Sequence, residues 1–447
     1  TILFLASIFY SGRNIYRINN EFVKLSEYYT PNRKTEDTIM PILHLSKTGK
    51  NILVIMLDMA ESVFIPYIFD ESTELREQFS GFVYFPNTIT FNGWTYGGAP
   101  PIFGGYEYTP VEMNKRADVP WWKKSNEALR LMPRLLSGAG FSVVVTDPPY
   151  AGNNWIPDLR VYGDDSSVSG YITDGVYTDL WLKRNNIALP PHSTVLKRNV
   201  LWYALFRELP LAFRQAVYAG GAWSAPFSEY RMRLMLNGYA VLDYLDELTD
   251  FSSPAENAAV FMVNNTTHES FFLEAPEYRP RLNINDYGKS RFSKSRWYHV
   301  NAAAMKRLAE YFDFLKANNV YDNTRIILVS DHAGLEVSYI TKTALPFHVD
   351  QFNALLMVKD FNAAGELKTD ITFMTNADVP SLAAEGIIEN PVNPFTGNMI
   401  NGQKNPPFPV LIKRVNKINE TEIELNSRNL FYVKDNIFDA VNWQKAD

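Results

Sequence analysis

The sequence predicts an α/β fold in which helices cover both faces of a central, mostly parallel β-sheet. Short, continuous apolar runs, which are typical of strands buried on both faces, recur along the chain. Amphipathic helical patterns lie between these runs, and this alternation is typical of a parallel sheet. The chain has 447 residues, enough for one large domain of this class or for two to three smaller ones.

The clearest predicted strand is 51–57, an unbroken apolar run that ends at Asp58. Strands of the same kind are predicted at 141–146, 259–263, 325–330 and 354–358. Amphipathic helices are predicted between them, at 126–138 and 302–317. After about residue 391, short alternating runs follow a segment rich in Pro, Asn and Gly, and they predict a small antiparallel C-terminal subdomain.

Composition excludes several classes of protein. The formal net charge of −6 argues against a nucleic-acid partner, which normally requires a basic surface. The chain contains no cysteine, so disulfides, thiolate zinc sites, iron–sulfur clusters and cysteine nucleophiles are all excluded. Any bound metal must therefore use oxygen and imidazole ligands.

Acidic and histidine side chains follow several of the predicted strands. Asp58 ends the first strand, Asp331 and His332 follow 325–330, His268 follows 259–263, and His348 precedes 354–358. Ligands of open α/β sheets bind beyond the carboxyl ends of the strands. A single Asp there is commonly a helix N-cap, but several Asp and His side chains together indicate a site for Zn²⁺ or Mn²⁺. Glu61, one turn after Asp58, is the alternative to it as a ligand.

A glycine-rich segment, residues 92–105, lies between the first and second predicted strands. We predict a loop whose glycines let the backbone approach a ligand closely, or alternatively a tightly turned surface loop. Thr95 stands near its start. A threonine hydroxyl is a poor nucleophile unless a base or a metal removes its proton, so a metal on Asp58, Asp331 and His332 would activate it. Trp94 lines the substrate pocket or anchors the loop.

The ordered set of Asp58, the Thr95 segment, Leu328-Val-Ser-Asp-His332 and Met374-Thr-Asn-Ala-Asp-Val-Pro-Ser381 resembles the alkaline phosphatase/sulfatase superfamily. Within that superfamily, the chain is most similar to lipoteichoic acid synthases and phosphoethanolamine transferases. The resemblance covers residues 49–390. It implies an alkaline phosphatase-like fold and a bacterial enzyme anchored in the cytoplasmic membrane, whose catalytic domain lies on the periplasmic or extracellular side.

The resemblance also implies a role for each matched residue. Asp58, Asp331 and His332 match the metal ligands, and Thr95 matches the nucleophile, which also contacts the metal. His268 resembles the histidine beside the substrate phosphate, while His348 resembles a histidine at the substrate or at a second metal. The implied cofactor is one divalent cation (Mn²⁺, Zn²⁺ or Mg²⁺), with a second one as an option.

Three departures from the family pattern refine the resemblance. Ala333 stands between the Asp-His pair and Gly334, where the family normally has Gly directly. The absence of cysteine separates the chain from the disulfide-bearing phosphoethanolamine transferases and favours the lipoteichoic acid synthases. The Cys/Ser-x-Pro-x-Arg motif of sulfatases is missing around Thr95, so sulfatase activity is not expected.

The predicted organisation follows from these likenesses. Residues 1–48 are a juxtamembrane stub and linker, 49–390 the sulfatase-like catalytic domain with an insertion at about 150–250, and 391–447 the C-terminal subdomain. The apolar run at 2–10 is shorter than the roughly 20 residues that cross a bilayer. It is either a buried helix or the end of a transmembrane helix. The aromatic segment 200–218 is predicted as a packed helix, with a membrane-interfacial helix as the alternative.

The expected activity is a metal-dependent transfer of a phospholipid head group, phosphoglycerol or phosphoethanolamine. An anionic phospholipid donates the group, Thr95 carries it as a phospho-threonine, and an envelope glycan, polymer or lipid accepts it. The membrane is a further expected partner, through an N-terminal anchor. Two alternatives stay open: a phosphodiesterase or phosphatase on the same scaffold, and a sulfatase-like binding protein without catalysis.

Overall fold

The structure is a computed structural model. It describes residues 38–189, 209–218, 227–334, 341–400, 405–413 and 427–447, together with the short pieces 9–10, 12–13, 16–17, 20, 199, 202, 206–207, 421–422 and 425. Most of the predicted stub 1–48 therefore lies outside the described residues, as do six residues of the predicted helix 200–218. The described end of that helix, Leu211–Tyr218, is helical, but none of its side chains is buried, so the predicted packing is wrong for this part. Among the described residues, no helix combines the length and the apolar character that crossing a membrane requires.

The strands are, in chain order, β1 Leu43–His44, β2 Asn51–Leu57, β3 Phe82–Tyr84, β4 Thr88–Ile89, β5 Phe141–Thr146, β6 Val168–Tyr171, β7 Thr249–Asp250, β8 Asn257–Asn264, β9 Thr324–Val329, β10 Leu356–Lys359, β11 Lys368–Thr369, β12 Met374–Thr375, β13 Phe408–Leu411, β14 Leu430–Val433 and β15 Trp443–Lys445. The described α-helices are α1 Ile65–Glu71, α2 Thr73–Gln78, α3 Thr95–Gly104, α4 Pro110–Asn114, α5 Trp121–Gly138, α6 Thr178–Arg184, α7 Leu211–Tyr218, α8 Phe227–Asp243, α9 Leu245–Leu248, α10 Arg296–Ala317 and α11 Val379–Ala384.

The central sheet has eight strands in the order β11-β3-β10-β9-β2-β8-β5-β6. The pairs from β9 to β6 are all parallel, as is β3 with β11, and only β10 runs antiparallel to its two neighbours. The chain enters β10 at the same edge of the sheet where it leaves β9. There the Ser330 N–H donates to the Leu355 carbonyl (3.0 Å), and the Leu355 N–H donates to Ser330 Oγ (2.8 Å). The described residues of the connection between β9 and β10 form no crossover α-helix, in keeping with an antiparallel return. The predicted mostly parallel sheet is confirmed.

Hydrophobic cores lie on both faces of this sheet. Leu53, Ile55 and Leu57 of β2 belong to one core with α8 and α10, whereas Ile52, Val54 and Met56 belong to the other with α3 and α5. Alternate side chains of a strand point to opposite faces, so a strand that is apolar throughout must be covered twice. The predicted helices on both faces are confirmed.

The C-terminal part forms a separate three-stranded antiparallel sheet, β13-β14-β15, as predicted. It packs against the residues that precede Thr95. Leu411 donates its N–H to the Phe91 carbonyl (2.9 Å), and the Asn92 side chain donates to the Leu411 carbonyl (2.8 Å). The segment predicted as an insertion, 150–250, contributes β6 to the central sheet and α8 to one of its cores.

Candidate active site

The carboxyl ends of β9 and β2 bring three predicted ligands together. Asp58 directly follows β2, and Asp331 and His332 follow β9, the neighbouring strand. One carboxylate oxygen from each Asp and one ring nitrogen of His332 lie within 4.8 Å of one another. All three side chains are buried, and Asp331 is 0 % exposed. We call these three residues the Asp–Asp–His group.

Hydrogen bonds orient the Asp–Asp–His group towards a common point. His332 donates from Nδ1 to the Ala333 carbonyl (3.0 Å), so its Nε2 carries a lone pair. That Nε2 lies 3.5 Å from Asp331 Oδ2 and 3.9 Å from Asp58 Oδ1. The other oxygen of Asp331 accepts the backbone N–H groups of His332 (3.0 Å) and Met59 (3.2 Å). Each ligand therefore keeps one lone-pair atom for the shared space.

The donor set fits a divalent cation. Asp58 Oδ1 and Asp331 Oδ2 are buried and have no hydrogen-bond partner among the described residues. Burial, and next the charge of Asp331, raise the pKa of Asp58 to about 7. Two buried carboxylates without a counter-charge are costly, and two carboxylates with one imidazole are ligands of Zn²⁺ and Mn²⁺. Glu61, the alternative ligand, is fully buried but does not belong to this group.

Thr95 does not lie in a loop, as the glycines predicted, but is the first residue of helix α3. The Trp94 carbonyl accepts the N–H groups of Gly97 (3.0 Å) and Gly98 (2.9 Å), which starts the helix. Residues 97–104 are all buried, so tertiary packing outweighs the poor helix propensity of Gly and Pro. A Cβ on Gly98 would lie 2.5 Å from the Asp331 carbonyl oxygen, so only glycine allows α3 to approach the metal ligands this closely.

The Thr95 hydroxyl joins the Asp–Asp–His group. It donates to His332 Nε2 over 3.3 Å, because Nδ1 of that ring already donates to a carbonyl. Thr95 is partly exposed, which leaves its oxygen open to a substrate. The first N–H groups of a helix have no intrahelical partner, so the start of α3 also favours an anion. The predicted nucleophile and the predicted metal ligands thus lie beside the N-terminal N–H groups of α3.

His268 stands on the other side of Asp58, on the 3₁₀ turn Thr266–His268 that follows β8. The hydrogen bond to Glu269 (Nδ1–Oε1, 3.2 Å) and the charges of Asp58 and Asp331 raise the pKa of His268 to about 9, against the opposing effect of burial. The ring is therefore a cation at neutral pH. The neighbouring Thr267 hydroxyl donates to the Asp58 carbonyl (2.6 Å), which connects this turn to the metal ligand.

The other two predicted substrate residues occupy different positions. Trp94 is partly buried and directly precedes Thr95, at the mouth of the site. His348 is exposed, and it precedes the 3₁₀ turn Val349–Phe352, where its charge acts on the buried Asp350. The structure thus brings His268 towards the Asp–Asp–His group and does not place His348 in it.

Residues that the sequence did not single out support the site. Asn376 donates to the Gly98 carbonyl (2.8 Å) and to Thr90 Oγ1 (3.0 Å), so the 374–381 motif holds α3 in place. Asp147 directly follows β5 and is buried, and burial followed by the charge of Asp174 raises its pKa to about 7. Its position after an apolar strand is the same signal that identified Asp58.

Comparisons with known proteins give distant likenesses only. No protein-family model matches the chain, and no curated protein does. Among solved structures, the chain is similar to the lipoteichoic acid synthase LtaP from Listeria monocytogenes, with a TM-score of 0.37, 10 % identity, and coverage of 75 % of this chain and 71 % of that one. It is also similar to a protein in the alkaline phosphatase superfamily from Vibrio parahaemolyticus, with a TM-score of 0.44, 11 % identity, and coverage of 96 % and 91 %.

A further similar structure is the C-terminal periplasmic domain of EcEptC from Escherichia coli, with a TM-score of 0.39, 11 % identity, and coverage of 85 % of this chain and 95 % of that one. These descriptions name classes of protein that the sequence motifs resemble. Because the TM-scores are below 0.5, the likenesses carry no argument about the activity of this chain. The function is therefore argued from the geometry of the site.

Proposed function

We propose that this chain is a metal-dependent phosphotransferase that works through a phospho-threonine on Thr95. One observation carries the proposal: the Thr95 hydroxyl donates to His332 Nε2, the same nitrogen that faces the unpartnered oxygens of Asp58 and Asp331. A nucleophile, a metal-ligand set and a buried excess of negative charge meet at this nitrogen. A structural role for these residues would not require that combination.

The chemistry divides among the residues of the site. A divalent cation held by Asp58, Asp331 and His332 supplies a positive charge that lowers the pKa of the Thr95 hydroxyl and polarises a phosphoryl oxygen. Thr95 Oγ1 forms the new bond to phosphorus while the bond to the leaving alcohol breaks, and the leaving oxygen takes up the proton that the Thr95 hydroxyl gives up. His268, kept protonated by Glu269, donates to a phosphoryl oxygen and stabilises the developing charge. Attack by an acceptor hydroxyl then regenerates Thr95.

The substrates in this proposal come from the sequence motifs. The donor is an anionic phospholipid, which leaves diacylglycerol behind when its phosphoglycerol or phosphoethanolamine head group moves to Thr95. The acceptor is a hydroxyl of an envelope glycan, polymer or lipid, on the extracytoplasmic side of a bacterial cytoplasmic membrane. His348 and Trp94 take part in substrate binding, and a second cation remains an option.

The test measures diacylglycerol release from phosphatidylglycerol and phosphatidylethanolamine vesicles in the presence of Mn²⁺. Thr95→Ala should lower turnover by about 10³-fold or more, Thr95→Ser should keep part of it, and trapping with donor alone should leave a mass adduct on the peptide that contains Thr95. Thr369→Ala, on the exposed strand β11, is the matched control. Undiminished turnover in Thr95→Ala would contradict the proposal that Thr95 is the nucleophile.

Hydrolysis is the second candidate function, because partly exposed Thr95 leaves the intermediate open to water. A hydrolase would release free glycerol phosphate or phosphoethanolamine at the same rate with and without an acceptor. A transferase would form the acceptor adduct at the expense of that product. A purified chain that binds no divalent metal would instead favour the non-catalytic alternative.

A further inference from the structure

A row of aromatic rings leads from Thr95 to the protein surface. Tyr96, the next residue of α3, contacts Tyr150 edge-on, with ring centroids 5.4 Å apart. Tyr150 in turn contacts Trp155 edge-on, with centroids 6.0 Å apart. We call Tyr96, Tyr150 and Trp155 the aromatic ladder. Its inner end stacks on the buried Trp121 at an interplanar angle of 16°, whereas the Trp155 side chain at its outer end is 81 % exposed.

The backbone that carries the outer rings is unusual. Asp147, Tyr150, Gly152 and Asn153 all have positive φ angles, from 50° to 69°, within seven consecutive residues. Non-glycine residues adopt this region at a cost, and such strain is concentrated at functional sites. The segment is held by the Gly152 N–H, which donates to Asn126 Oδ1 (3.0 Å), and by Asp147, which accepts from the Thr173 N–H (2.9 Å). The rings are therefore positioned before a ligand arrives.

A surface tryptophan that a strained, hydrogen-bonded segment presents to solvent has no role in the core. Trp155 and its neighbour Ile156 are both exposed, and contiguous apolar surface of this kind marks binding sites. Aromatic rings offer an electron-rich face, and fixed aromatic side chains lose little entropy on binding. Polar groups border the rings: the Tyr96 hydroxyl donates to Asn153 Oδ1 (3.5 Å), and Asn153 and Asn154 are both exposed.

We propose that the aromatic ladder is the platform on which a sugar ring of the acceptor binds. The C–H face of a pyranose packs on the aromatic faces, and its hydroxyls bond to Asn153 and Asn154. Because Tyr96 directly follows Thr95, a sugar held on the inner rings lies beside the nucleophile, and Trp155 holds the next sugar of the chain. The inference rests on the proposed function, whose acceptor it assigns to the glycan class.

The charges around the ladder favour a sugar over the other partners of aromatic surfaces. Residues 147–163 contain one cation, Arg160, and its Nε donates to Asp158 Oδ1 (2.7 Å). A membrane-binding surface combines exposed aromatics with Lys and Arg, and a nucleic acid requires them. A neutral saccharide needs only stacking and hydrogen bonding, which this surface supplies.

Saturation-transfer NMR on the whole chain tests the platform, with maltotetraose, cellotetraose and chitotetraose as probes. We expect saturation transfer to at least one of them, a loss of at least tenfold in Trp155→Ala, and partial retention in Trp155→Phe. Trp122→Ala is the matched control, because Trp122 is 40 % exposed and lies outside the ladder. Thermal unfolding of each variant verifies that it is folded. Absence of binding by all three probes, or equal binding by Trp155→Ala, would overturn the proposal.

Sedimentation with phosphatidylglycerol vesicles provides the second arm. Vesicle binding that depends on Trp155, without saccharide binding, would assign the ladder to a membrane surface and also overturn the proposal. These measurements need no turnover. A failure here therefore leaves phosphoryl transfer through Thr95 untouched, and a failure of the Thr95→Ala test leaves saccharide binding to be measured independently.

Discussion

Two groups of charged residues lie at different places on the central sheet, the Asp–Asp–His group at the carboxyl ends of its strands and a second group on one face, and they differ in their balance of charge. On the face covered by α8 and α10, Arg307 and Arg279 both donate to Asp243 Oδ1, over 3.0 Å and 3.1 Å. The same two arginines contact Glu310, over 2.8 Å and 3.3 Å. Two cations thus face two anions, and we call these four residues the Arg–acid cluster.

The Asp–Asp–His group has no such compensation among its own three residues, and the charge of His268 acts on it from a neighbouring turn. Its two carboxylates face a histidine whose Nε2 carries a lone pair, and one oxygen of each carboxylate has no hydrogen-bond donor among the described residues. Compensated charge can be accommodated where helices pack on a sheet, whereas a buried excess of one sign is costly unless a ligand supplies the other. Charge balance therefore distinguishes a structural cluster from a binding site.

Removal of one metal ligand should have the largest effect. Asp331→Ala should abolish Mn²⁺ binding and lower diacylglycerol release by about 10³-fold, because the cation contributes several kcal/mol to the transition state. Titration calorimetry and the vesicle assay measure the two effects. The exposed Asp118→Ala should leave both unchanged. Normal Mn²⁺ affinity in Asp331→Ala would show that the charge imbalance does not mark a metal site.

The opposite result is expected for the Arg–acid cluster. Arg307→Leu removes a fully buried cation and leaves Asp243 with Arg279 and the Trp181 indole N–H as its donors, so it should lower the free energy of unfolding by about 1–3 kcal/mol, with Mn²⁺ affinity unchanged in the folded protein. Arg279→Leu should cost less, because its side chain is 39 % exposed and water replaces part of the bond. Urea unfolding gives both values. If Arg307→Leu instead lowered the Mn²⁺ affinity and left the free energy of unfolding unchanged, the Arg–acid cluster would belong to the binding site and would not be a structural cluster.

The two regions should also differ in their sensitivity to packing, because α3 approaches the Asp–Asp–His group closely. Gly98→Ala places a Cβ against the Asp331 carbonyl and pushes α3, with Thr95, away from the ligands. Misplacement of a nucleophile by about 1 Å can cost about 10²-fold in rate, so we expect that loss of turnover in the vesicle assay. Gly138→Ala is the control, because a Cβ there meets nothing within 4 Å. Equal turnover in the two variants would contradict the tight approach.

The residues at the strand ends could be predicted from the sequence, because the signal for a buried strand lies in a few consecutive residues. An apolar run that ends in Asp58 or in Asp331-His332 is a buried strand with ligands at its carboxyl end, and parallel strands share that edge. The negative charge of the two carboxylates then predicts that the ligand is a cation.

Helix α3 could not be predicted, because its local signals contradict its structure. Gly97, Gly98, Pro100 and Pro101 all disfavour a helix, and only burial on the sheet, which depends on distant residues, makes one form. The aromatic ladder could not be predicted for the same reason. Tyr150 contacts Tyr96 of α3, and Trp155 contacts Tyr150, only in the folded chain. The role of His348 in substrate binding rests on its order along the chain and stays a prediction.

The smallest expected effect concerns pH and the pairing of His268 with Glu269. This pairing and the nearby carboxylates raise the pKa of His268 to about 9, so the ring stays protonated up to that pH and then loses its proton. Glu269→Gln removes a negative charge and lowers this pKa, so the alkaline limit of turnover should shift to lower pH. For a shift of one pKa unit, activity should fall about twofold at pH 8 and about tenfold at pH 10, and it should stay near that of wild type at pH 6, because the protonated fraction changes about tenfold only above both pKa values. The exposed Glu366→Gln should keep the wild-type profile. If the alkaline limit of turnover did not shift in Glu269→Gln, His268 would not act as a cation on the phosphoryl group. The bound metal would then be the only proposed counter-charge for the excess negative charge of the site.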